Sequence, residues 1–459
     1  MLRSFVPTAH DVRALVRLGL PIVAAQVGLQ LMAMVCVVMV GHISAADLSA
    51  VALGNTYVFC LLIFAMGALY ALDPILAQAA GARDDHAITL GLQRGLALAV
   101  LLGAAISILC LPAQSAFRLA REPAEVVPRA TSFVRMVIPG LIPLLLWATL
   151  RQALQAMHQT RAVVISSIGG NLANLALNWI FTLGHFGSPV LGAAGAALSM
   201  TISRWLMLAL IFGFARAELL PRLRPWHPGV FARGPLGRTA RIGLPIGIQS
   251  SIEYLTFATI TVLAGWFGAD SLGGHQVAIN IASVTFMVPM GFGSAAAVLV
   301  GRAIGSGDMP HARRVATSAL ICGAGFMALC GALMLIAPAA LARFYTSVPS
   351  VMTVAIALIP IAGAFQIFDG LQVVSAGVLR GAGDTRTPML VNLLGFWVLG
   401  IPVSLTLGFG LKLGVVGLWW GSAVALAAIA TMLVTLVRVR LGGAIERVRV
   451  EEGAAARSG

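Results

Sequence analysis

The sequence predicts an all-α polytopic membrane protein, with about twelve transmembrane helices arranged as two parallel six-helix repeats. Three observations carry that expectation. Hydrophobic residues make up 59% of the 459-residue chain and charged residues only 10%, whereas a soluble domain carries about a quarter charged residues; mean hydropathy is +0.95. The apolar runs reach the roughly 20 residues that cross a hydrocarbon core of ~30 Å. Finally, RLGLPIV at 17–23 is answered by RIGLPIG at 241–247.

The first half supplies apolar spans over 18–40, 51–77, 90–112, 131–154, 162–183 and 190–214. The second supplies 242–266, 274–300, 314–337, 351–379, 388–408 and 413–437. The opening run lacks a cleavage-site pattern and is expected to remain as the first spanning helix. Between the halves, RAELLPRLRPWHPGVFARGPLGRTAR carries enough Pro, Gly and charge to stop the sixth helix. The expected organisation is therefore a six-helix lobe over 1–215, a basic cytoplasmic linker over 216–241, a second six-helix lobe over 242–440 and a polar tail over 441–459. Pro21, Pro143, Pro245, Pro289, Pro360 and Pro402 lie in or at the starts of spans. Proline is tolerated in a first turn, so only Pro289 is expected to kink its helix.

The duplication keeps its spacing beyond the heptapeptide. Arg17, Pro21, Gly67, Gly81 and Asp84 each recur 224 residues later as Arg241, Pro245, Gly291, Gly305 and Asp308. Further on, LGAAG from Leu191 is matched by LGVVG from Leu413, and Ile138-Pro139 by Ile359-Pro360, after small shifts. Six spans return the chain to its starting side, so the two halves insert in the same orientation. Parallel repeats of this kind enclose a substrate cavity in many alternating-access carriers.

The formal net charge of +14 is read by side of the membrane and not as a nucleic-acid surface. With the amino terminus in the cytoplasm, Arg118, Arg121, Arg129, Arg135, Arg343 and Lys412 fall outside and Arg204 falls within a span. All the other basic residues, including Arg3, Arg449 and Arg457, fall on the cytoplasmic side. Both termini are expected there. The five cysteines and eight histidines form no metal-site or redox spacing, and no GxxxxGK[ST] stretch provides a nucleotide site.

Ionisable groups in mid-span are costly and point to function. Three stand out: Glu253 in IQSSIEYLTF, Asp369 in AFQIFDGLQVV and Arg204 in TISRWLML. Glu253 follows Arg241 by twelve residues, or ~18 Å of helix, near the midplane. A carboxylate in a wet intramembrane site can be neutralised by a proton, by Na⁺ or by a cationic substrate, and competition among these occupants is the physical basis of antiport. The alternative for each group is a structural interhelical bond or ion pair.

Several separate segments then give the chain a family likeness: PILAQAAGA at 74–82, NLALNWIFTLGHFG at 174–187, HQVAIN at 275–280 and FDGLQVVSAGVLRGAGDTRTP at 368–388. In these it resembles the multidrug and toxic compound extrusion (MATE) transporters, NorM-type bacterial branch, over nearly its whole length. The resemblance implies that Glu253 and Asp369 are the second-lobe cation-coupling pair, for H⁺ or Na⁺. It also implies that Asn174 and Asn178 line the first lobe, and that Gln276 and Asn280 lie near the second-lobe site. Interhelical hydrogen bonding is the other use of such amides.

The chain departs from the family pattern in its first half. Cys36 stands where an acidic residue of helix 1 is usual, Arg204 where an uncharged residue is usual, and Phe365 where a Tyr can occur. A neutral thiol is no substitute for a carboxylate, so Cys36 and Arg204 are expected to modulate the first lobe, leaving coupling to the second. The expected activity is export of organic cations or amphiphilic drugs by a monomer in the bacterial inner membrane, with no cofactor and no nucleic acid. Two other readings are a lipid-linked saccharide flippase and a membrane-embedded enzyme using the buried acids.

Overall fold

A computed structural model of the chain describes residues 5–448 and 450. Residues 1–4, 449 and 451–459 lie outside the described residues, and with them Arg3, Arg449, Arg457 and most of the expected polar tail. Among the described residues every regular element is helical, and twelve helices are long and apolar enough to cross a membrane. We number them α1 Ala9–Gly41, α2 Ala45–Gly81, α3 Asp85–Cys110, α4 Val126–Ala156, α5 Arg161–Thr182 and α6 Gly192–Phe214. The second set is α7 Arg233–Gly265, α8 Ala269–Gly305, α9 Met309–Ile336, α10 Pro349–Gly381, α11 Arg386–Gly410 and α12 Gly414–Gly442.

Most helices begin before the apolar runs read from sequence, and half of them extend beyond the run at both ends, because a helix does not stop where hydropathy does. Polar first turns are stabilised by side-chain caps: Ser44 Oγ accepts the Asp47 amide at 3.0 Å at the start of α2. The linker differs most from expectation. Its first part forms a short helix, Arg216–Leu223, but α7 already begins at Arg233. Pro235 falls in the first turn of α7, where its missing N–H would have had no intrahelical partner.

The duplication is visible in the turns. The Asp84 amide donates to the Ala79 carbonyl at 3.0 Å, and the Asp308 amide to the Ala303 carbonyl at 2.9 Å. Each aspartate then caps the next helix, Oδ1 accepting Ala87 N–H and His311 N–H, both at 2.9 Å. A second pair of turns repeats the closure, from Gln159 to Leu154 at 2.7 Å and from Asp384 to Leu379 at 2.9 Å. All four need one residue in the left-handed region, supplied by Arg83, Gly307, His158 and Gly383. Helices α5 and α11 also both end in π turns, Asn178–Thr182 and Thr406–Gly410.

The chain divides into two compact units. Of the described residues, one unit comprises 5–23, 81–83 and 248–448, the other 24–80, 84–247 and 450. In the first of these, α10 is the central helix, packed by α8, α9 and α12. Glycines set the spacing: a Cβ at Gly377 would collide with the Gly293 backbone, and one at Gly363 would stand 2.8 Å from the Gly331 carbonyl. Small residues at such seams allow backbones in a membrane to approach where no hydrophobic force drives them together. In the other unit α5 packs on α6, and a Cβ at Gly195 would lie 2.5 Å from the Phe181 carbonyl.

Prolines shape the helices unevenly. The helix runs on through Pro289, whereas α4 is interrupted by a 3₁₀ turn at Ile138–Gly140, just before Pro143. Pro143 has no N–H to offer the carbonyl four residues earlier, that of Pro139. The Trp205 indole of α6 donates to it instead, at 3.1 Å, and Thr201 Oγ1 donates to the Met136 carbonyl at 2.6 Å. Gly140 gives the adjoining Arg204 its room, since a Cβ there would stand 3.2 Å from the Arg204 Cδ.

Candidate functional site

In the unit holding α8 to α12, Glu253 projects from α7 and Asp369 from α10. Asp369 is buried at 5% exposure and Glu253 is half-buried. The Glu253 carboxylate is close enough to Asp369 for their charges to interact, and the Gln372 amide interacts with it from the next turn of α10. Gln372 is itself fixed by donating Nε2 to Asn392 Oδ1 of α11 at 2.8 Å, while its buried Oε1 has no hydrogen-bond partner. Among the described residues neither carboxylate forms an ion pair with Lys or Arg. The arrangement gathers acceptor oxygens and no fixed countercharge.

The HQVAIN segment of α8 presents both exposed and buried side chains. Gln276 and Asn280 are exposed, and Asn280 donates back to the Gln276 carbonyl at 2.7 Å. Their neighbour His275 is fully buried. The Trp419 indole donates to its Nδ1 at 3.1 Å, so Nε2 carries the proton that goes to Thr261 Oγ1 at 2.9 Å; Thr261 in turn donates to the Phe257 carbonyl. Phe365 stacks on Trp419 with centroids 5.8 Å apart. That network ties α7, α8, α10 and α12 together.

The other unit assembles Cys36 of α1, Asn174 and Asn178 of α5 and Arg204 of α6. Cys36, Asn174 and Asn178 are each at most 1% exposed and Arg204 is 8% exposed. Asn178 stands where α5 passes into its π turn, a distortion frequent at functional positions. Its Nδ2 donates to the Asn174 carbonyl at 2.9 Å and faces the Cys36 sulfur at 3.6 Å, while Oδ1 accepts the Thr182 hydroxyl at 2.9 Å. The thiol faces the Ala196 carbonyl at 3.7 Å. Asn174 approaches the same sulfur without hydrogen-bond geometry, and the Arg204 charge reaches it too.

Sequence reasoning missed several of these groups. Gln372 was within reach, because it falls three residues after Asp369 and so shares its helix face. The buried Arg151 was not: counted by position as a cytoplasmic loop residue, it lies inside α4 at 1% exposure. It donates to Gln26 at 3.0 Å and lies over the Trp147 ring at 5.1 Å. Asp73, near the end of an apolar run, is also buried, at 3% exposure. Among the described residues no group of three or more His, Cys, Asp and Glu is placed to hold a metal.

Comparison with known proteins agrees with this architecture. The MatE family profile matches residues 21–180 and 245–406, once in each half. The multidrug resistance protein MdtK of Photorhabdus laumondii is 32% identical over 434 residues, covering 92% of this chain and 94% of that protein. The multidrug resistance protein NorM of Burkholderia vietnamiensis is 34% identical over 430 residues, with 91% of each chain covered. Among solved structures, the crystal structure of the eukaryotic MATE transporter AtDTX14 superposes with a TM-score of 0.86 at 23% identity, covering 96% of this chain and 99% of that one. With both halves matched and relatives aligned nearly end to end, the chain belongs to the MatE family, on its NorM-type branch of multidrug efflux proteins, and is a membrane transporter and not an enzyme.

Proposed function

We propose that the chain exports organic cations and amphiphilic drugs by alternating access, in exchange for H⁺ or Na⁺, with Glu253 and Asp369 as the coupling pair. The observation that supports this reading is the pairing itself: two carboxylates on separate helices of one unit, without a fixed countercharge. Two such groups cannot comfortably both be charged in a site of low dielectric, so a proton, a metal cation or a cationic substrate relieves the same repulsion. For Na⁺, the unpartnered Gln372 Oε1 is a further oxygen beside the carboxylates, in keeping with the hard oxygen donors that such ions take. Coupling follows when the transporter changes facing only with the pair neutralised.

The same reading places a functional monomer in the bacterial inner membrane with both termini in the cytoplasm. The divided basic residues support the orientation, because cytoplasmic loops are the Lys- and Arg-rich ones. The test is efflux from reconstituted vesicles, with H⁺ and Na⁺ gradients imposed separately. Glu253→Gln and Asp369→Asn are each expected to abolish gradient-driven efflux at unchanged membrane abundance. Full coupled transport by either variant overturns the assignment.

A further inference from the structure

Outside both polar clusters, α3, α4 and α6 enclose a groove of about 610 Å³ lined only by Leu, Ala, Val, Phe and Trp side chains. Its walls include Leu96 of α3, Leu146 and Leu150 of α4, and Trp205 and Phe212 of α6. Trp205 and Phe212 are exposed, and the Trp205 indole N–H is spent on the Pro139 carbonyl. These walls present carbon, which water and charged molecules do not wet and hydrocarbon does. The groove also has a definite depth. Trp205 precedes Phe214, the last residue of α6, by nine positions, or ~14 Å, and Leu146 precedes Ala156, the last residue of α4, by ten, or ~15 Å. Half of a hydrocarbon core of ~30 Å is ~15 Å, so the groove runs the depth of one leaflet.

The linker after α6 closes the end of this groove as a fixed strap. Two buried side chains of α3 tie it down. Gln93 Nε2 donates to the Arg222 carbonyl at 2.8 Å and to the Pro225 carbonyl at 3.1 Å, and its Oε1 accepts the His227 N–H at 2.9 Å. Arg94 Nη2 donates to the Gly229 carbonyl at 3.3 Å, and Val230 is buried with Leu90 and Ala97. Held in this way, the strap contributes Leu223, Trp226 and Phe231 to the groove lining. Three exposed arginines stand within four residues of lining side chains: Arg216 of Phe212, Arg224 of Trp226 and Arg233 of Phe231. None of the three pairs with a carboxylate among the described residues. Trp beside basic residues at the end of a span marks headgroup level.

We propose that the strapped groove is a binding site for one anionic phospholipid, an acyl chain lying between α3, α4 and α6 and the phosphate drawn to Arg216, Arg224 and Arg233. Basic pockets beside spanning helices take anionic headgroups in this way, each Lys or Arg adding to the attraction. The occupant is fixed by two complementarities together: an apolar channel one leaflet deep, and positive charge only at its headgroup end. A charged drug would find no acceptor along the channel. A second copy of the chain would have to bury the three arginines against a surface of its own. Lipid elsewhere around the protein exchanges freely, whereas a chain held behind the strap is retained.

The experiment is native mass spectrometry of the purified full-length protein, delipidated and then exposed to an equimolar mixture of dioleoyl phosphatidylglycerol and dioleoyl phosphatidylcholine. The two lipids share their chains and differ in net headgroup charge. Wild type is expected to retain one lipid per monomer, with phosphatidylglycerol favoured about tenfold, the scale of one to two basic residues near an anionic headgroup. Replacing Arg216, Arg224 and Arg233 together by Gln is expected to bring that preference to about one. Ala209→Trp, which fills the groove from α6, is expected to remove the retained lipid whatever its headgroup. Size-exclusion elution and helical circular dichroism check the fold, and the arginine variants, altered only at exposed positions, keep the test intact if Ala209→Trp is unstable. Equal retention of both lipids by wild type, or the same phosphatidylglycerol preference in the triple variant, overturns the proposal. A dimer that is lost in Ala209→Trp would give the groove to a second copy and overturn it as well.

Discussion

The Cys36 sulfur lies 3.6 Å from the Asn178 amide nitrogen, across the α1–α5 contact of a single unit. The contact occupies the place where the family pattern has a carboxylate, and a neutral thiol in it is a weak partner that leaves Asn178 held chiefly by Asn174 and Thr182. Cys36→Ala is therefore expected to retain gradient-driven vesicle efflux, at a stability cost of about 1 kcal/mol for the small void. Normal substrate binding with all coupling lost would place the thiol on the ion path and remove coupling from the second lobe alone.

The carbonyl freed by Pro143 gives a sharper thermodynamic test. Trp205→Phe strands the Pro139 carbonyl and is expected to destabilise the protein by about 1–3 kcal/mol. Pro143→Ala restores a backbone N–H able to return to that carbonyl. In a thermal-unfolding double-mutant cycle the two changes together should cost clearly less than their sum. Additive costs would mean that the indole bond contributes nothing to the α4–α6 junction.

At the α8–α10 seam, Gly293→Val places a side chain against the Val373 carbonyl, 2.9 Å from the position of its Cβ. Backbone cannot rotate aside, so a loss of about 1–3 kcal/mol or more is expected. Gly325 of α9, whose Cβ would meet nothing within 4 Å, should accept Ala without loss. Melting temperatures of the purified variants compare them directly, and equal sensitivity at both positions would contradict the seam.

Gln372→Leu removes both the amide that faces Glu253 and the unpartnered Oε1. Under the proposed coupling, the concentration of driving ion required for half-maximal efflux should rise severalfold, with maximal efflux at saturating ion retained. A variant with lowered maximal efflux and unchanged ion dependence would make Gln372 a packing residue of the α10–α11 contact.

Much of the fold was legible because lipid imposes length and hydropathy on every span, and because the duplication repeats its turn residues. Asp84 and Asp308 could be paired by spacing alone. The helix extensions were less visible: caps such as Ser44 and the tolerated Pro235 act through local backbone geometry, which a hydropathy pattern does not contain. For the site, Glu253, Asp369 and Arg204 announced themselves by charge in an apolar run. Arg151 did not, since a residue near the end of a span looks alike whether it faces water or the inside of a bundle. His275 was equally hidden, its role set by Trp419, 144 residues away.

The backbone contacts of Gly377 with Gly293 have a mechanical consequence. Side chains that interdigitate can yield by changing rotamer, and so act as soft springs between helices; two bare backbones have no torsions to spare. Helices α8 and α10 therefore form one stiff plank, on which Asp369 rides. Under the proposed coupling, any force that arises when that carboxylate is neutralised is delivered along the length of both helices at once, as leverage, without being dissipated in the few residues around it.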